Sequence, residues 1–120
     1  MILLKATTES LKVVTSSTAN IDYSVSWVDV TTTAFTPSTS EGKISTATST
    51  TLLPAPAGST QRQVKLITIT NTHASASNTV TVQKDISGTT YQLTPATTLL
   101  AGEVLIFMDE DGWTHYSTDG

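Results

Sequence analysis

The chain has no cysteine, which excludes disulfide staples and thiolate metal sites. Charge is scarce as well: 13% of residues are charged, with six Lys and Arg against ten Asp and Glu and a net charge of −4. No basic run occurs, so phosphate neutralisation, and with it direct nucleic-acid binding, is disfavoured. Only seven aromatics are present (two Trp, three Tyr, two Phe). The six glycines, Gly42, Gly58, Gly88, Gly102, Gly112 and Gly120, are isolated, and no phosphate-cradling loop exists. The N-terminus, MILLKATTES, has three apolar residues before Lys5 and turns polar, so it is neither a signal peptide nor a membrane span. No stretch carries convincing helical periodicity.

What is abundant is hydroxyl: Ser and Thr make up roughly a third of the chain. Val, Ile, Leu, Trp, Tyr and Phe recur between them at strand spacing, which disordered polar tracts lack. At 120 residues the chain fits one domain, 1–120, with a single core; residues 1–10 are a candidate N-terminal arm, within which Ile2 to Ala6 is a short strand or an ordered arm. Leu11 to Thr15 is the first convincing strand. In Ile21 to Trp27 four large apolar residues alternate strictly with polar ones, so Tyr23 and Trp27 are expected in the core. Val28 to Phe35 continues as a Thr-rich strand, and Thr36 to Gly42 (TPSTSEG) reads as a loop. Lys43 to Leu53 reads as a strand with a Thr face, either a solvated edge or a surface packed on another protein.

Pro54 to Ser59 reads as a crossover between sheets. Gln61 to Lys84 holds two β-branched segments joined by Asn71 to Asn78, with Leu66, Val80 and Val82 expected inward. The eight-residue connector favours one layer of a larger sandwich over a simple hairpin. Asp85 to Gly88 is a hairpin turn, Leu99 to Met108 the densest apolar run with a bend at Gly102, and Asp109 to Gly112 a last turn before Trp113 to Tyr116. These signals predict an all-β, single-domain antiparallel β-sandwich of about eight strands, jelly-roll-like.

Candidate chemistry is thin. His73 and His115 have no carboxylate or second histidine at metal-ligand spacing. Asp109 to Gly112 lacks the distal acid of a calcium loop and reads as a turn. The abundant Ser and Thr have no G-x-S-x-G elbow. No catalytic, metal or cofactor residue is therefore expected, and no enzyme. Arg62 and Lys65 place two of the six cations on the first central strand, as an ordinary solvated strand end or an anchor to an acidic partner; with the exposed loop around His73 they are the candidate partner contacts. Trp113 and Tyr116 are the candidates if the partner is a glycan.

The combination STQRQVKLITITNTHASASNTVTVQKD followed by LTPATTLLAGEVLIFMDEDGW, covering Ser59 to Trp113, resembles small structural proteins of tailed bacteriophages, among them head-decoration proteins. The turn and strand Ala101 to Leu105 followed by Asp111 to Trp113 is similar to phage tail and fibre β-domains too. The resemblance implies a non-enzymatic virion protein made in the cytoplasm of the infected bacterium. Its leading form is a head decoration (cement) protein on the outer capsid surface. Such a protein would form homotrimers, bridge major capsid protein subunits, and bind no nucleic acid, membrane or cofactor. The alternative is a tail or head-fibre adhesion module recognising a host cell-surface glycan.

Overall fold

The computed structural model describes residues 1–118 and is all-β, with two antiparallel sheets packed together. Eleven strands form where about eight were expected: β1 Ile2–Leu4, β2 Glu9–Thr15, β3 Ile21–Val30, β4 Phe35–Ile44, β5 Ser49–Leu53, β6 Gln61–Asn71, β7 Asn78–Ile86, β8 Thr89–Gln92, β9 Thr97–Leu99, β10 Val104–Met108 and β11 Gly112–Tyr116. The excess comes from short strands that share a rank. β1 and β10 lie end to end along one side of β6, at Arg62 to Val64 and Leu66 to Thr70. β8 and β9 do the same along β7.

The first sheet runs β11-β10-β6-β3-β4 with β1 beside β6; the second runs β5-β2-β7-β8 with β9 beside β7. The two segments of Gln61 to Lys84, expected to make one layer of the sandwich, lie in different sheets, because the eight-residue connector crosses from one layer to the other. Residues 1–10 are not an arm: β1 is bonded to β6, Leu4 is fully buried, and Glu9 starts β2.

Directly opposed residues in antiparallel strands share a face, so the register sorts the side chains. Inward rows of the first sheet read Tyr23, Ile69, Leu105 and Val25, Ile67, Phe107, and these meet Leu11, Val13, Val80 and Val82 of the second. Trp27 is in the core as expected. Tyr23 is half-buried at its margin, its ring lying over Gly42 of β4 where a Cβ would overlap it. Glycine at 42 leaves room for that ring, and TPSTSEG, expected as a loop, is part of a ten-residue edge strand. Pairing along the whole of β3 overrides the local turn composition, and Pro37 is tolerated because β4 is an edge. The turns fall instead at 31–34 and 45–48.

A second departure lies in β6. Ser26 opposes Leu66 and Trp27 opposes Val64, so Lys65 is the extra residue of a β-bulge. The bulge flips the phase of the strand: Val64 points inward on one side of it and Ile67 on the other. Leu66, expected inward, sits on the outer face.

The outer faces differ. Across the first sheet they read Lys43, Asp22, Thr70, Val104, Tyr116; then Glu41, Ser24, Thr68, Ile106, Thr114; then Thr39, Ser26, Leu66, Met108. Across the second they read Thr51, Lys12, Gln83, Gln92, with Ser49, Val14, Thr81 and Ser10, Asp85, Thr90 alongside.

Candidate functional site

Arg62 lies on an inward row with Asp29 and Leu4, at the end of the sandwich where β6 begins. Its guanidinium grips Asp29 with two bonds (Nε to Oδ1 2.8 Å, Nη2 to Oδ2 3.0 Å) and donates to the Pro54 carbonyl at 2.8 Å. The same group lies over the Trp27 ring, 5.0 Å from its centroid. With a side chain 13% exposed, Arg62 is an internal tie between β3, β6 and the crossover. Trp27 Nε1, beneath it, is the buried side-chain polar atom without a partner among the described residues.

Lys65 is the bulge residue, set where β10 ends and β1 begins. Asp109 closes this gap: its N–H donates to the Lys65 carbonyl at 3.0 Å, and its carboxylate pairs with the Lys65 ammonium at 3.1 Å and the Met1 amino group at 3.3 Å. The Lys65 bond, outweighing desolvation and helped by the N-terminus, holds the Asp109 carboxyl below its ordinary range.

Lys84 points inward from β7 and joins the sheets. Its ammonium donates to the Leu3 carbonyl of β1 at 2.7 Å and pairs with Glu9 at 3.1 Å. Burial pushes the Glu9 carboxyl up, but the Lys5 N–H and the Lys84 ammonium outweigh it, and the net shift is downward. Lys12 pairs with Asp85 at 3.1 Å, and Lys43 with Asp22 on the surface at 3.0 Å. Asp85 is held low first by the Gly88 N–H and then by Lys12. Five of the six cations are therefore bound within the fold, Lys5 being the exception among the described residues.

His73 lies at the opposite end, remote from Arg62 in the fold, so the three expected partner contacts do not form one patch. Its Nδ1 accepts N–H bonds from Ser75 (3.1 Å) and Ala76 (2.8 Å), fixing the connector between β6 and β7. The asparagines that bracket this connector are both buried. Asn71 donates to the carbonyls of Ala76 and Leu99 and accepts from the His73 N–H; Asn78 accepts from Ser16 and Ser17 N–H and donates to the Ser17 and Ala19 carbonyls.

Glu103 completes that end and is 1% exposed. One oxygen accepts from Leu100 N–H (3.0 Å) and lies 2.9 Å from His115 Nε2; the other accepts from Thr118 N–H (2.7 Å), Thr118 hydroxyl (3.0 Å) and Ser117 hydroxyl (3.0 Å). The Leu100 bond leads, burial opposes it, and Thr118 and His115 add to it, so the carboxyl falls from an ordinary 4.5 to about 2. Sequence reasoning missed Glu103, Asn71 and Asn78. The signal for the asparagines was their position, one at each mouth of a small-residue loop between two strands.

The glycan candidates separate as well. Trp113 opposes Phe107 on the inward side of β11, their rings 5.2 Å apart, whereas Tyr116 points outward and is 56% exposed. They form no common platform. A depression of about 400 Å³ lies on the outer face of the first sheet among Asp22, Ser24, Glu41, Lys43, Thr68 and Thr70. Among the described residues no three His, Asp or Glu are placed to hold a metal ion, and no helix is long and apolar enough to cross a membrane. Comparison with protein-family models, with curated proteins and with solved structures finds no match to this chain.

Proposed function

We propose that the protein is a non-enzymatic structural component of a tailed-phage particle. In this reading it is a head decoration protein that binds the outer capsid surface and bridges major capsid protein subunits. It is made in the bacterial cytoplasm and assembles as a homotrimer. The observation that carries the proposal is the internal use of reactive side chains: five cations bond within the fold, as do His73 and His115. What is left to the surface is a rigid, hydroxyl-rich body, which can be immobilised at low entropic cost. The resemblance of Ser59 to Trp113 to phage structural proteins supplies the setting. We take the sandwich as jelly-roll-like within this proposal, because the chain changes sheet at six of its connections. The adhesion alternative is weaker, since Trp113 and Tyr116 face opposite ways.

Heads assembled without the protein are expected to lose tolerance to heat or low salt and to regain it on adding the protein back. Unchanged tolerance would contradict the proposal. Light scattering of the isolated protein is expected to give three times the 12.7 kDa chain mass; a monomer at high concentration, and on the head as well, would remove the trimer.

A further inference from the structure

The outer face of the first sheet carries a continuous apolar strip that nothing in the fold covers. Val104, Ile106 and Met108 are successive outward residues of β10, Leu66 directly opposes Met108, and Tyr116 directly opposes Val104. Met108 is 45% exposed, and the others apart from Tyr116 are half-buried. The corresponding face of the second sheet has Val14 as its one aliphatic among Ser, Thr, Gln, Lys and Asp. A half-exposed apolar strip with a polar surround is the pattern of a protein contact, and scattered single residues are not.

The charges beside the strip identify the partner. At the Met108 end the turn after β10 frames a shallow depression of about 290 Å³ with Glu110 and Asp111, which make no ion pair among the described residues. The cations at this end, Lys65 and the Met1 amino group, both pair with Asp109, which leaves the turn Asp109 to Asp111 with a net negative charge. A partner seated here therefore meets aliphatic surface bordered by unneutralised carboxylates.

We infer that the outer face of β10 and β11 is a docking surface for a protein partner that offers an apolar patch flanked by Lys or Arg side chains. The sign is opposite to the cationic contact expected from Arg62 and Lys65. The inference rests on the proposed function for the partner's identity, the major capsid protein.

The test uses heads assembled without the protein and purified full-length variants added back. Ile106→Lys and, as a second strip variant at a more exposed position, Met108→Lys are each expected to weaken head binding at least about tenfold. Both should melt close to wild type, because the substituted side chains point out of the core. The double variant Glu110→Gln with Asp111→Asn should weaken binding and remove its sensitivity to salt. Gln83→Lys, on the outer face of the second sheet, should bind as wild type does. If wild type binds heads and both folded strip variants bind equally well, the docking surface is overturned and the proposed function stands. If wild type does not bind heads, the proposed function falls, and the inference with it. Self-association of the isolated protein that Ile106→Lys abolishes would assign the strip to a second copy and overturn the inference.

Discussion

The two ends of the sandwich are tied by different chemistry. Where β6 begins, four ion pairs (Arg62 with Asp29, Lys84 with Glu9, Lys65 with Asp109, Lys12 with Asp85) fasten strands within and between the sheets. Where β6 ends, buried amides and one carboxylate do the work: Asn71, Asn78 and Glu103 gather loop N–H groups and carbonyls that would otherwise be stranded. A chain this poor in charge spends nearly all its cations at one end. The lesson is that its cations are structural ties, so that on an otherwise hydroxyl-rich surface the proposed docking strip draws on apolar and acidic side chains.

The largest effect is expected at the ionic end. Lys84→Met strands the nearly buried Glu9 carboxylate and the Leu3 carbonyl and should cost about 3 kcal/mol in a denaturant titration; a loss no greater than that of Lys43→Gln would break the contrast. Next comes the amide end, where Asn71→Ala removes three bonds around the connector and should cost about 2 kcal/mol by the same measurement. Acid then loosens both ends. Because Glu103 titrates near 2 when folded against an ordinary 4.5, its contribution is complete above pH 4.5 and is lost as pH falls through the interval down to about 2. Glu9, Asp85 and Asp109, also lowered, act in the same direction. Melting temperature should therefore drop across that interval, and Glu103→Gln should flatten part of the drop; an unchanged slope would mean the carboxylate is not the tie described. The smallest effect is Lys43→Gln, whose ammonium is exposed, at less than about 0.5 kcal/mol.

Much of the fold was legible because it is written in local alternation. Ile21 to Trp27 spells out an inward row, and Ser87 and Gly88, both at positive φ, form the two-residue hairpin turn that DISG implied. Less legible was whatever depends on a partner strand. The Lys65 bulge has no composition of its own, yet it turns Leu66 outward. Edge strand β4 exists because β3 offers it a full ladder, which no reading of TPSTSEG in isolation reveals. In the densest apolar run, Leu99 to Met108, composition does not show which residues face out; β10 alternates, with Leu105 and Phe107 inside and Val104, Ile106 and Met108 outside. The candidate site suffered most, because local sequence shows that Arg62 and Lys65 are cations and says nothing of Asp29 or Asp109, which lie 33 and 44 residues away.

Hydroxyl-radical footprinting of the free and head-bound protein tests the central claim most directly, since it reads side-chain exposure residue by residue. Met108 and Tyr116 on the first sheet and Tyr91 on the second are all oxidisable and comparably exposed, at 45%, 56% and 53%. Head binding should protect Met108 and Tyr116 and leave Tyr91 as reactive as before. Protection of Tyr91 with Met108 and Tyr116 still oxidised would contradict the account.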